Sequence, residues 1–371
     1  MAKKKINIFL LLIKILILLI ALTLIIVPSA IGLFIYLNNA PKVIITKPSL
    51  GNTPETIGIS IADDGGYLFD IRRGESASSV GSRLESAGII KNRYFWNLLC
   101  RLEDAHIKTG TFKIDMPKTQ IAILHEFIAG STILNKITIP EGMSLTKTAR
   151  ILEEADICSK EDFLSAVRDP EIIKHYGIPA NSVETTMEGY LFPDTYFFPK
   201  FYPANIIVRI MADNFFKKLE AINPALRGLS QKELNDKVIL ASIVEREYRI
   251  PDEAPVMAGV FYNRLRINMA LQSCATVEYI ITEIQGKPHP SVLRHSDIEI
   301  RSPYNTYIRT GLPPGPISSP GTIALRSVMS PANTDFLYFR LTDAASGKHY
   351  FSKTIDEHIM AGALITKPSW P

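Results

Sequence analysis

The residues best suited to do chemistry are two glutamates at the end of an apolar run, Val238-Ile239-Leu240-Ala241-Ser242-Ile243-Val244-Glu245-Arg246-Glu247. Ser230-x-x-Glu233 has the form of a capping box and starts a helix, which must end before Pro251 because proline disfavours a helical residue ahead of it. At about 100° per residue, Leu240, Ile243, Val244 and Glu247 share one sector of that helix, and Glu245 lies roughly 140° round from Leu240. Glu247 thus extends the apolar stripe. A carboxyl there is poorly solvated, so its charged form is disfavoured and its pKa is predicted to rise toward neutrality, as a general acid requires. Glu245 is expected to be solvated or salt-bridged. By spacing alone, the pair also fits a plain helix end.

Downstream residues have the composition of a sugar groove. Asn263-Arg264 close a helix predicted over about Glu253 to Ile267, Gln272 falls on a turn, and a short helix follows from Ala275. Then Ser302-Pro303-Tyr304-Asn305-Thr306-Tyr307 precedes the proline- and glycine-rich segment Gly311 to Gly321. Prolines fix φ and glycines permit close backbone approach, so this segment is expected to form a stiff wall. Ring faces cover the apolar side of a pyranose and amides bond its hydroxyls. A plain surface connection has the same composition.

Upstream elements must position this set. Ile71-x-x-Gly74-x-Ser76 reads as a strand, a glycine turn and a capped helix with Val80, Leu84 and Ala87 on one face. The pattern returns sixty-eight residues later: Ile71, Gly74, Ser76, Leu84, Glu85, Ala87, Ile89 and Phe95 match Ile139, Gly142, Ser144, Leu152, Glu153, Ala155, Ile157 and Phe163. One small strand-helix module, used twice, is the economical explanation. Between the copies, Ile107 to Ile114 reads as a strand and Thr119 to Ile128 as a helix closed by Gly130. Helices are also predicted near Glu161 to Val167 and from Ala204 to Ile222. A terminal hairpin, Phe336 to Leu341 with His349 to Phe351, turns at Ser346-Gly347. Short strand-like pieces, Val43 to Thr46 and Ile57 to Ile61, interrupt a linker rich in Pro, Gly and Thr.

The apolar run Ile15 to Leu37 covers roughly 30 to 35 Å as a helix, the thickness of a bilayer core. Lys3, Lys4, Lys5 and Lys14 precede it and only Asn38 and Asn39 follow directly, so the positive-inside rule puts the N-terminus in the cytoplasm. A cleaved signal peptide fits less well, because the run is long and Pro28 sits poorly for a cleavage motif ending at Ala30. The expected organisation is α+β: a cytoplasmic tail (1–14), a transmembrane helix (15–37), a linker and small α/β subdomain (41–136) and a larger mixed α+β domain (137–371). A net charge of +4 with dispersed Lys and Arg offers no stripe for nucleic acid. Cys100, Cys158 and Cys274 form no C-x-x-C pair and are expected to be small core residues. Neither H-E-x-x-H nor a P-loop occurs, so no metal, nucleotide or other cofactor is implied.

Six ordered segments, Glu188 to Tyr196, Ala241 to Glu247, Phe261 to Leu265, Leu271-Gln272, Tyr304 to Tyr307 and Gly311 to Gly321, resemble the YceG-like family of membrane-bound endolytic murein transglycosylases. The module around Ile71 looks like that family's LysM-like subdomain. The resemblance implies a lytic transglycosylase that cuts the β-1,4 bond between MurNAc and GlcNAc within peptidoglycan strands, leaving a 1,6-anhydro end and ending strand growth near the membrane. It implies Glu247, the second glutamate of the E-x-E pair, as the catalytic acid/base. Glu188, Asn263, Gln272, Tyr304, Asn305, Thr306 and Tyr307 are implied as substrate-binding, and the glycan-polymerising synthases as partners by analogy. Where relatives commonly read Gln-Thr-Asp-Pro, this chain has Gln272-Ser273-Cys274-Ala275, which removes an acid and a helix-starting proline. Two other readings stay open: a peptidoglycan-binding module without catalysis, and a hydrolase whose second carboxylate is Asp252, Glu253 or Glu188.

Overall fold

The structure, a computed structural model, describes residues 8–41, 59–61, 66–130, 132–224 and 228–364. The strand expected over Val43 to Thr46 lies outside them. The chain divides into two compact units, Met1–Leu134 with Pro199–Phe201, and Asn135–Phe198 with Tyr202–Pro371. Both mix helices and strands, and the fold is α+β.

The first unit begins with helix α1 (Ile8–Asn38). Its stretch Leu12–Asn38 is long and apolar enough to cross a membrane by length and composition, and its side chains are exposed as far as Tyr36. Strands β1 (Ile59–Ile61), β2 (Tyr67–Ile71) and β3 (Gly110–Ile114) form an antiparallel sheet in that order. Helices α2 (Ala77–Ser86), α3 (Arg93–Leu102) and α4 (Gln120–Ala129) bury Val80, Leu84, Trp96, Leu99, Ile123 and Phe127 with Phe69 and Phe112 of the sheet. Phe127 stacks on Phe69 with centroids 5.8 Å apart and tilts against Phe112 at 4.6 Å. Gly130 closes α4 in the left-handed conformation, as the sequence predicts.

The second unit opens with β4 (Asn135–Thr138), paired antiparallel with β5 (Thr195–Phe198). Helices α5 (Leu145–Glu154), α6 (Lys160–Ala166) and α7 (Pro170–His175) lie between them in sequence. The internal repeat holds in detail. Gly74 and Gly142 both have φ +74°, and the Ser76 and Ser144 hydroxyls accept from backbone N–H groups at 79 and 147. The N–H groups of Ile89 and Ile157 donate to the carbonyls of Leu84 and Leu152 over the same 2.9 Å. Phe95 and Phe163 are both buried.

Helix α8 (Ala204–Ile222) has the predicted bounds. Helix α9 (Gln231–Glu247) starts on the predicted capping box, with both Ser230 and Glu233 bonds made. Helices α10 (Ala254–Arg266) and α13 (Thr322–Met329) pack on α9. Val238 through Val244 of α9 are all buried, so the helix is enclosed on every side and not along one stripe. Between α10 and α13 run α11 (Cys274–Tyr279), continuing as a π-turn over Ile280–Ile284, and α12 (His295–Ile298). The terminal hairpin is β6 (Tyr338–Asp343) and β7 (Lys348–Ser352), turning at Gly347 with φ +76°, and α14 (Ile355–Met360) follows.

Candidate functional site

Helix α9 ends at Glu247, where Tyr248 turns extended. The Ser273 hydroxyl donates a short hydrogen bond to Glu247 Oε1, and the Ala275 backbone N–H donates to the same carboxylate. Burial pushes the Glu247 carboxyl up to about 7, helped by the nearby Glu278 charge. The Ser273 bond and the Arg246 guanidinium pull the other way, and burial wins. Arg246 itself pairs with Glu278 at 2.7 Å.

Ser273 is held in turn. Its N–H donates to Thr306 Oγ1 (3.1 Å), which also bonds Thr276 Oγ1 (2.9 Å). The Gln272 N–H donates to the Thr306 carbonyl over 3.0 Å, and Gln272 takes φ +50°. The buried Arg264 guanidinium donates to the carbonyls of Leu271 (2.9 Å) and Leu337 (2.6 Å), fixing the turn that carries Gln272 and Ser273. Sequence reasoning missed Ser273 as a partner of Glu247.

The proline- and glycine-rich segment is stitched to α9. Ile317 N–H donates to Ser242 Oγ and Ser318 Oγ to the Ser242 carbonyl, both over 3.0 Å, and Gly321 N–H donates to Glu245 Oε2 over 2.8 Å. The glycine turn at 142 joins on the other edge, with Gly142 N–H to the Ser319 carbonyl at 2.9 Å and Ser319 N–H to the Met143 carbonyl at 2.8 Å. These bonds tie the segment down, and Gly315 to Gly321 is buried, so only its first part can face a polymer. Gly189, at φ +82°, lies so near Pro316 that a Cβ there would stand 2.5 Å from that ring.

Two expectations are overturned. Glu245 is half-buried and has no salt bridge among the described residues: it accepts from Gly321 N–H and the Tyr248 hydroxyl, and burial raises it to about 7, with the Glu141 charge adding to the rise. The reason is the enclosure of α9 on all sides, which a single-stripe reading does not foresee. Of the cysteines, Cys100 is buried and Cys158 half-buried against the core, but Cys274 is exposed. Its sulfur lies 3.0 Å from the Tyr307 hydroxyl.

The residues expected to bind substrate separate into two sets. Asn305 is fully buried, its amide donating to the Ile298 (2.9 Å) and Ile300 (2.8 Å) carbonyls. Thr306 is buried under Ser273, Tyr304 is buried against Tyr279, and the Asn263 amide donates to the Thr334 (2.7 Å) and Phe336 (3.0 Å) carbonyls. Glu188, 6% exposed, accepts from Leu145 N–H. These five side chains hold walls. Gln272 is exposed and Tyr307 half-buried, and both remain open to a ligand. A cavity of about 600 Å³ borders Asn305 and Thr306, with Ser182, Ile308, Arg309 and Gly311 to Pro314 on its other sides. Its size is that of a small-ligand site.

Known proteins are similar to this chain in sequence and fold. The endolytic murein transglycosylase of Streptococcus pneumoniae is 28% identical over 317 residues, which is 78% of this chain and 56% of that protein. The chain thus spans little more than half the length of that relative. The Bacillus subtilis protein of the same name is 29% identical over 308 residues, 78% of this chain and 82% of its own. A crystal structure of a YceG-like protein from Listeria monocytogenes superposes with a TM-score of 0.54 at 31% identity, covering 79% of this chain and 98% of that one. The profile of the YceG-like family matches residues 69–363, from β2 through α14, and so takes in every residue of the site just described: the chain belongs to the YceG-like family.

Proposed function

We propose that this chain is an endolytic peptidoglycan lytic transglycosylase with Glu247 as its acid/base. One observation carries the reading: a carboxyl raised to about 7 by burial, gripped by Ser273 at the end of α9, in a family whose relatives are named endolytic murein transglycosylases. Protonated Glu247 donates to the glycosidic oxygen as the bond from MurNAc C1 to that oxygen breaks. The muramyl C6 hydroxyl then attacks C1, and its proton passes to the Glu247 carboxylate, restoring the acid. No water is consumed, the new end is 1,6-anhydroMurNAc, and the intramolecular attack removes the need for the second carboxylate of ordinary glycosidases. The rival carboxylates are otherwise engaged or remote in character: Glu253 accepts His349 N–H over 3.1 Å, Glu188 is buried and Asp252 is exposed.

In this reading α1 is a single-pass anchor with the N-terminus cytoplasmic. The module around Ile71 serves as a LysM-like subdomain, and the enzyme ends the growth of strands newly exported beside peptidoglycan synthases. Mass spectrometry of muropeptides released from purified sacculi by the full chain in detergent tests the chemistry. Anhydro ends, one water lighter than hydrolysed ends, are expected, and hydrolysed ends alone would sink the lyase assignment.

Ser273 acts as a positioning residue. Its hydroxyl favours the charged form of Glu247, so Ser273→Ala moves the alkaline limb of the kcat/KM profile to higher pH. At pH 6 the carboxyl is mostly protonated, and a hydrogen bond to a neutral group is worth about 0.5–1.5 kcal/mol, so the rate there falls roughly 2- to 10-fold through lost orientation. Ser273→Thr, which keeps the hydroxyl, leaves both unchanged. A profile unmoved by the alanine substitution would remove Ser273 from the acid's environment.

A further inference from the structure

Helix α3 carries an outward face that the transglycosylase reading does not use. Tyr94, Leu98 and Leu102 are 69%, 50% and 71% exposed, four residues apart, so they form one stripe along the helix. Arg93 and Arg101 flank it, with the Arg93 guanidinium 5.1 Å above the Tyr94 ring. The opposite face, with Trp96, Leu99 and Cys100, fills the core of the first unit. The stripe is therefore not a core face turned the wrong way.

What lies beside the stripe is the end of α1. Phe95 meets Phe34 of α1 edge-on, with centroids 5.4 Å apart. At about 100° per residue, Leu102 is roughly 20° and Leu98 roughly 60° round from Phe95, so the exposed stripe begins where the contact with α1 stops. The same end of α1 is bound to the unit by three hydrogen bonds. Lys91 Nζ donates to the Tyr36 carbonyl (2.9 Å), Gln120 Nε2 to the Leu37 carbonyl (2.8 Å) and Ile121 N–H to Asn38 Oδ1 (3.1 Å). No basic residue stands in α1's own last turn, and Lys91 supplies the cation that its carbonyl end favours.

Spanning a bilayer core takes about 20 helical residues, so the run from Leu12 brings Phe34 to Asn38 out at the far boundary. A helix touching Phe34 then lies at that surface. Apolar side chains beside cations and a tyrosine are the composition of a helix lying in the interface plane. We propose that α3 is a second, monotopic membrane contact: Tyr94, Leu98 and Leu102 enter the leaflet at the C-terminal end of α1, and Arg93 and Arg101 meet its phosphates. The first unit is thereby held flat on the membrane instead of swinging from a tether. The proposal rests on α1 spanning the bilayer, and is independent of the reaction catalysed.

Nitroxide labels on the full chain, reconstituted in phosphatidylethanolamine–phosphatidylglycerol vesicles, test it. The background is Cys274→Ser, since burial pushes the Cys100 and Cys158 thiols up to about 11 and about 12 and slows their labelling. Labels go at Thr23→Cys, Leu98→Cys, Leu102→Cys and Lys353→Cys. Bilayer-like collision, with oxygen favoured over a water-soluble nickel chelate, is expected at 23, 98 and 102, and water-like collision at 353. Bilayer-like collision at 23 with water-like collision at 98 and 102 overturns the contact while leaving the anchor standing. Water-like collision at 23 removes the anchor and the contact together. Shielding from both reagents with dipolar broadening at 98 means that a second copy covers the stripe, which also overturns the proposal.

Discussion

Glu247→Gln lowers the release of anhydro-ended muropeptides from sacculi by about 10²- to 10⁴-fold, the usual worth of a positioned general acid. Glutamine keeps the size of the side chain and still accepts from Ser273, but has no proton to give. The melting temperature at pH 7 should not fall, because the substitution removes a carboxyl that burial already disfavours as an anion. The pH profile separates a chemical role from a structural one. The acid must be protonated, a form populated below about 7, so kcat/KM of the unaltered chain declines roughly tenfold per pH unit above that value. The residual rate of the variant loses that limb. Equal release by both proteins would favour the reading in which the chain only binds peptidoglycan.

How much of this was legible in the sequence depends on whether a residue's task is local. Caps, glycine turns and helix bounds were readable because a serine three residues before a backbone donor, or a glycine forced to positive φ, acts over a few residues. Ser230, Thr119, Gly130 and both copies of the strand-helix module behave so. The burial of the Glu247 carboxyl was legible for the same reason, since it lies at the end of a continuous apolar run. Glu245 was not, since its environment is Gly321, seventy-six residues away, and helical periodicity carries no information about a loop folded over the polar side. Ser273 and Thr306 form a relay across thirty-three residues that no local pattern announces. Asn305 shows how one residue type can serve two tasks. An amide near a groove looks like a ligand for sugar, yet here it also satisfies two inward carbonyls of the turn's own backbone.

Glu188→Gln should raise stability at alkaline pH and leave it unchanged or slightly lower at acid pH. Glu188 Oε2 accepts from Leu145 N–H, and the Gly189 N–H also bonds the carboxylate. Oε1 is buried with no partner among the described residues. Burial pushes this carboxyl up to about 8, and the Glu283 charge adds to the rise, outweighing the backbone bonds and Arg246. The ordinary value is 4.5, so between about 4.5 and about 8 the folded chain holds a proton that the unfolded chain has lost. Stability from this group is complete below the lower value and is lost as pH rises through the higher one. Each unit of difference is worth about 1.4 kcal/mol, so the full loss reaches a few kcal/mol. Glutamine is neutral at every pH and escapes it, with a gain in melting temperature on the order of 5–10 °C at pH 8.5 that vanishes by pH 4.5. Calorimetric or fluorescence melts of both proteins across that range provide the measurement. A difference that does not depend on pH would mean that Glu188 is already ionised in the fold. Arg246, which faces both Glu188 and Glu247, would then be neutralising the buried pair more fully than burial resists it.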